Sequence, residues 1–191
     1  MTLGIRMKNS YYLVSPSDFG VFGMIWYMLG DQPRILRLTL PGKDPQLDIT
    51  LKVDYPQAVE SEGSVVVALA DDIRRFLGGD DLHLDLQWLA WEVCTEFQAR
   101  VLRAEYGIPR GWVSTYERIA RELGVPGGAR AVGNALAANP FPLLIPCHRA
   151  VRSTGELGGY QGGLEMKKAL LEMEGVTFVS PSKVSLNKVY Y

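Results

Sequence analysis

Apolar and polar residues change rhythm twice along this chain. Between residues 10 and 40 they come in short β-like runs. Ser10–Val14 and Gly20–Leu29 concentrate Tyr, Val, Ile, Phe and Trp, while Arg34–Leu40 alternates Ile35, Arg37 and Thr39 against Leu36, Leu38 and Leu40. Ser15-Pro16-Ser17-Asp18 and Asp31-Gln32-Pro33 have turn chemistry and read as the connections. The pieces predict a small antiparallel sheet. The period then lengthens: Ser64–Leu77 spaces Val67, Leu69, Ile73 and Leu77 as a helix does, and Gly78-Gly79 stops it. Asp80–Leu86 reads as a linker.

A second, mostly helical unit follows. Trp91, Cys94, Phe97, Val101 and Leu102 predict a helix over Trp88–Tyr106, which Ile108-Pro109-Arg110-Gly111 breaks. Ser114 then opens a short helix, with Glu117 three residues on completing a capping box. Its stripe is Tyr116, Ile119, Ala120 and Leu123, and Gly124 ends it. After Val125–Gly128 comes a helix over Ala129–Ala138 with Val132, Ala135 and Leu136 on one side. Two short helices joined by a tight glycine turn form a helix-turn-helix candidate. Gly133, Ala135, Ala137 and Ala138 leave the second helix thin, while Arg130 and Asn134 supply its polar groups. A mid-helix glycine costs about 1 kcal/mol relative to alanine. Either another surface comes close there or the domain packs tightly around it. The tail from Val176 to Tyr191 is β-like.

Composition narrows the class. A chain of 191 residues, 47% hydrophobic and 21% charged, can bury one large core or two small ones. Its most apolar run, Val21 to Leu29, is shorter than the roughly 20 residues a bilayer requires and has no basic leader. The expectation is a soluble, cytoplasmic protein without a membrane partner. Net charge is −1, so contact with nucleic acid would have to come from a local surface. Two distant cysteines, Cys94 and Cys147, do not make a disulfide framework, and with His83 and His148 they lack zinc-ligand spacing. No metal or cofactor is expected.

The chemistry concentrates in Asn139-Pro140-Phe141-Pro142-Leu143-Leu144-Ile145-Pro146-Cys147-His148-Arg149. Three prolines stiffen a segment that delivers a thiol, an imidazole and a guanidinium in succession. Such neighbours favour thiolate, the reactive form. Adjacent side chains on an extended strand point to opposite sides, however, so His148 would reach the sulfur only across a turn or through a water. Residues alone leave open a cysteine hydrolase, a helix-turn-helix regulator without chemistry, or a group-transfer protein.

Arg130-Ala131-Val132-Gly133, Asn139-Pro140 and Ile145-Pro146-Cys147-His148-Arg149 resemble the motifs of O6-alkylguanine-DNA alkyltransferases. The resemblance extends from Ser114-Thr115-Tyr116 to Gly159-Tyr160, Gly162-Gly163-Leu164, Lys167 and Leu170-Leu171-Glu172-Met173-Glu174-Gly175. It implies an α+β fold: a small N-terminal α/β sheet domain of ribonuclease-H-like layout (1–85), a mostly helical C-terminal domain with a helix-turn-helix (86–176), and a tail (177–191). It further implies direct-reversal repair, in which a monomer flips O6-alkylguanine out of double-stranded DNA and moves the alkyl group irreversibly to Cys147. In the implied roles His148 takes the thiol proton through a water, Glu174 orients the imidazole, Tyr116 donates to the leaving base and Asn139 braces the turn. Arg130 replaces the flipped base, and Ala131, Gly133, Asn134, Ala137 and Thr115 face the minor groove. Leu136, Pro142, Ala150, Tyr160, Gln161 and Gly162 wall the pocket. Ala150 stands where valine is usual, Gln161 where a small residue is common, and the zinc ligands of some relatives are missing.

Overall fold

A computed structural model describes residues 9–42 and 47–191. The β-like runs become three antiparallel strands: β1 (Ser10–Ser17), β2 (Gly20–Leu29) and β3 (Gln32–Gly42). The strands are longer than expected, and the turns shrink to Asp18-Phe19 and Gly30-Asp31. Ser15, Pro16 and Ser17 belong to β1, and Gln32 and Pro33 to β3, not to the connections. Proline is tolerated in β1 because its other neighbour, β4 (Val59–Glu60), pairs only with Tyr11 and Tyr12, leaving Pro16 on an open edge. The order is β3-β2-β1-β4, with β4 parallel to β1. Gly20 has to be glycine: its φ is +108°, and a Cβ would lie 2.3 Å from the Gly42 carbonyl oxygen.

Two helices pack on the sheet. α1 (Leu47–Asp54) went unforeseen, because Ile49, Thr50 and Val53 disguise the i, i+4 pair Leu47 and Leu51 that it buries. It comes so close that a Cβ on Gly23 would meet Leu51 at 2.7 Å. α2 (Ser64–Leu77) spans the predicted residues, but its buried face is Val66, Leu69, Ala70, Ile73, Phe76 and Leu77, so Val66 replaces Val67.

The long helix expected from Trp88 starts only at Glu96. Residues 88–90 instead extend the sheet: Ile35 N–H donates to Trp88 O (2.7 Å) and Ala90 N–H to Ile35 O (2.9 Å). Trp91–Val93 is a 3-10 turn, and Thr95 caps α3 (Glu96–Tyr106) by accepting the Gln98 N–H. Trp91 and Cys94 therefore lie outside the helix. The free edge of β3 accounts for this, because its unpaired backbone groups are satisfied by that segment.

β5 (Ser114–Thr115) pairs in parallel with β6 (Ala150–Val151) and leads into α4 (Tyr116–Glu122). The expected Ser114–Glu117 box is corrected by one residue. Thr115 is the cap, accepting from the Arg118 N–H, while Glu117 pairs with Arg121. α5 (Ala129–Ala137) and α6 (Gly163–Met173) follow. The tail forms β7 (Phe178–Ser180) and β8 (Lys183–Val184), then runs beside Val113, whose N–H donates to Lys188 O and whose carbonyl accepts from Tyr190 N–H.

One apolar cluster runs through both units. It joins Phe22, Met24 and Leu38 of the sheet to Phe76 of α2, Leu102 of α3, Phe141, Leu144 and Cys147. The fold is mixed α+β, and its cysteine segment lies against both halves. Among the described residues no helix is long and apolar enough to cross a membrane.

Candidate active site

The proline-rich segment is held by backbone bonds at nearly every step. Leu38 N–H of β3 donates to Pro140 O (2.8 Å), Ile145 N–H to Phe141 O (2.8 Å) and Cys147 N–H to Ile145 O (2.8 Å). Asn139 braces it from inside, its Oδ1 accepting from Phe141 N–H (2.9 Å) and its Nδ2 donating to Ile145 O (3.3 Å). Leu143 has φ +70°, a conformation that costs a leucine about 1–3 kcal/mol. The strained residue is buried, and packing holds it there.

Cys147–Arg149 then form one 3-10 turn. Successive side chains on such a turn diverge by about a third of a revolution, so the opposite-sides objection to a Cys-His pair does not apply. His148 is fully buried and its Nε2 lies 2.9 Å from Glu174 Oε1. Arg149 holds the same carboxylate through Nε (2.9 Å to Oε2) and Nη2 (2.8 Å to Oε1), and its Nη1 donates to Ile108 O. Burial by itself would raise the Glu174 carboxyl; His148 and Arg149 together pull it down to about 2. A permanent carboxylate only accepts, so Nε2 carries the ring proton and Nδ1 the lone pair. Nδ1 is buried and has no hydrogen-bond partner among the described residues. Burial outweighs the attraction of Glu174 and lowers the imidazole, which is neutral at rest.

The expected thiolate is not the resting form. Burial pushes the Cys147 thiol up to about 12, and the nearby Asn139 side chain offsets only part of that. Arg149, assigned from the sequence to the sulfur, is committed to Glu174. The sulfur sits at a cleft of about 810 Å3 whose walls are α5 and the 158–161 loop. Of the expected site residues, Tyr116, Arg130, Gly133, Asn134, Leu136, Ala137, Tyr160 and Gln161 line it with Cys147. Pro142, Ala150 and Gly162 do not: Pro142 is buried in its own turn, Ala150 sits under Lys167, and Gly162 packs on Met166 and Tyr160. Thr115 is buried and occupied as a helix cap, which removes it from any exposed DNA-facing set. Ala131 is exposed but outside the cleft. A Cβ on Gly133 would meet only Tyr116 Cδ1, at an ordinary 4.0 Å. Internal crowding therefore does not explain that glycine.

A family model described as 6-O-methylguanine DNA methyltransferase, DNA binding domain, matches residues 96–176. A methylated-DNA–protein-cysteine methyltransferase of Methanothermobacter thermautotrophicus is 52% identical over 109 residues, 57% of this chain and 61% of that protein. One of the same name from Mycolicibacterium paratuberculosis is 38% identical over 160 residues, 79% of this chain and 93% of that protein. The chain belongs to the methylated-DNA–protein-cysteine methyltransferase family. Solved structures agree: Mycobacterium tuberculosis OGT-R37K superposes with a TM-score of 0.67 at 30% identity, covering 86% of this chain and 92% of that one. The same mycobacterial protein solved in complex with DNA gives 0.66 at 30% identity, with the same coverage.

Around this cleft lie residues the motif reading gave no role. Lys167 is fully buried and its Nζ donates to Ala150 O (2.6 Å), Leu157 O and Gly159 O (3.4 Å), fixing the start of the pocket loop to β6. Burial lowers its ammonium to about 8. Glu105 of α3 is also fully buried; among the described residues its carboxyl oxygens find no well-formed hydrogen bond, although the Ala150 N–H is near enough to favour the charged form slightly. Burial raises it to about 8 despite Lys167 and Arg149. Both residues break an apolar stripe. Glu105 follows Val101 and Leu102 by four and three positions, and Lys167 precedes Leu170 and Leu171 by three and four. That spacing was the available signal. Arg152 lines the cleft, and Tyr160 sets its ring edge-on to His148 (81° between planes), its buried hydroxyl without a hydrogen-bond partner among the described residues.

Proposed function

We propose that Cys147 accepts the alkyl group of O6-alkylguanine from double-stranded DNA, once and irreversibly. The observation that carries the reading is a cysteine sulfur, the one such group lining the cleft among the described residues, followed in sequence by an imidazole that a buried carboxylate orients. A cleft of about 810 Å3 lies within the range of roughly 300–1,000 Å3 common for small-ligand sites and accommodates one extruded base. A base inside a duplex cannot reach the sulfur of a cysteine only 5% exposed, so extrusion is part of the reading. α4 and α5 are the helix-turn-helix. α5 buries Val132 and Leu136 and exposes Arg130, Ala131, Asn134 and Ala137, a thin polar face suited to the minor groove. Arg130 fills the gap left in the stack. The strand order of the first unit, with three antiparallel strands and a parallel fourth, supports its ribonuclease-H-like assignment.

In this mechanism the thiol proton passes through a water to His148 Nδ1 as sulfur attacks the alkyl carbon. The S–C bond forms, the C–O6 bond breaks, and the electron pair stays on guanine. Tyr116, whose phenol burial raises to about 12 and so keeps protonated, donates to the departing base. His148 then returns its extra proton to Tyr116 through solvent. A neutral resting thiol fits this order, because deprotonation accompanies attack. The thioether has no leaving group, so each protein reacts once.

Peptide mass spectrometry after incubation with an O6-methylguanine duplex tests the reading. The expected result is one methyl per chain, confined to the Cys147 peptide. Folded protein with Cys147 unmodified, or a methyl on Cys94, refutes it.

A further inference from the structure

Gln161 ties the two walls of the cleft together. Its Nε2 donates to Ala137 O (2.8 Å), at the end of α5, and to Asn139 O (2.9 Å), in the segment leading to Cys147. Two carbonyls facing one terminal group fix the amide orientation, since only the nitrogen donates. The residues before Gln161 also come close to α4. Gly158 has φ +68° and passes so near Tyr116 that a Cβ would fall 2.7 Å from the phenol oxygen. Lys167 holds the upstream end of the same loop through Leu157 and Gly159. The loop is therefore anchored by a buried ammonium at one end and by one exposed amide at the other.

We infer that Gln161 is a latch that sets cleft width, and so limits the size of the group that can reach Cys147. The exposed anchor is the one that yields. A bulkier group beside the sulfur has to push the 158–161 wall away from α5. It thereby breaks two hydrogen bonds that a smaller group leaves intact. Lys167 gives way much less readily, because a buried ammonium released from its carbonyls would be left unpaired. Applied to alkyl size in repair, the inference rests on the proposed function; applied to access to the sulfur, it does not.

The test has two arms. In the first, Cys147 alkylation is followed by peptide mass spectrometry with a small reagent, iodoacetamide, and a bulky one, N-benzylmaleimide. Cys94, half-buried and outside the cleft, is the internal reference. Gln161→Ala removes the donor, and Gln161→Glu keeps the shape while placing a carboxylate against two carbonyls. Both should raise the bulky-to-small rate ratio at Cys147 on the order of tenfold, as expected for the loss of two hydrogen bonds. The Cys94 ratio should stay fixed. Because a ratio is read, a change in thiolate fraction enters both rates alike. In the second arm the same variants react with duplexes carrying O6-benzylguanine or O6-methylguanine, and the benzyl-to-methyl ratio should rise similarly. An unchanged or lower ratio at Cys147 in the first arm overturns the latch. A wild-type protein that takes no methyl in the second arm overturns the repair reading while the first arm still decides the latch.

Discussion

Glu105 gives the sharpest physical test of the site. Its carboxyl, fully buried, is raised by burial from 4.5 to about 8. The folded chain therefore holds a proton that the unfolded chain has already released, so stability falls as pH climbs above about 4.5 and levels off past about 8. Glu105→Gln removes this titration and keeps the shape. At 1.36 kcal/mol per pKa unit, the variant should gain about 3 kcal/mol on the wild type between about pH 5 and pH 7.5. Lys167, lowered to about 8, changes stability only above that window, where the folded chain loses its proton first. His148 and Glu174 titrate alike in both proteins and drop out of the difference. The assay is urea unfolding at several pH values. With an m-value of about 2 kcal/mol/M, the gap between midpoints should widen by about 1.5 M across the window. A gap that stays constant would mean Glu105 is ionised throughout, held by Lys167 and Arg149. The reasoning that burial wins would then fail.

Glu174→Gln should act on both catalysis and acid stability. It removes the carboxylate that fixes the His148 tautomer, so transfer should slow by roughly 10²–10⁴ in a single-turnover assay. It also strands Arg149, which costs about 3–5 kcal/mol in a denaturant titration at neutral pH. In the wild type the Glu174 contribution, from a carboxyl held near 2, is complete above about 4.5 and fades as pH falls toward 2; the variant should lose that acid limb. Arg130→Ala should slow repair in duplex far more than reaction with free O6-benzylguanine. Equal losses in the two assays would remove Arg130 from base extrusion.

What could be read from the chain, and what could not, follows the range of the interactions. The sheet, α2 and α5 were legible because hydrophobic period is local, although the strand ends were misplaced. Pro-Cys-His-Arg was legible as chemistry for the same reason. The helix start at Trp88 was misread because residues 88–90 answer the open edge of β3, some fifty positions away. The thiol's protonation was misread because burial is a tertiary property: adjacent His148 and Arg149 suggest a thiolate, yet Arg149 spends its donors on Glu174, 25 residues downstream. Ala150 and Pro142 adjoin the motif in sequence but face the interior, whereas Arg152, two positions beyond Ala150, reaches the cleft.

The hydrogen bond from Leu38 of β3 to Pro140 makes the half that holds Cys147 a poor candidate for transplantation. A fragment beginning after the linker would carry every motif residue, yet it would lack the strand that supports the bend before Cys147. Trp88, Ala90 and Pro140 would lose backbone partners, and the cluster that holds Phe141 and Leu144 would lose Leu38 and Phe76. Grafting the nucleophile into another scaffold thus means bringing its sheet along.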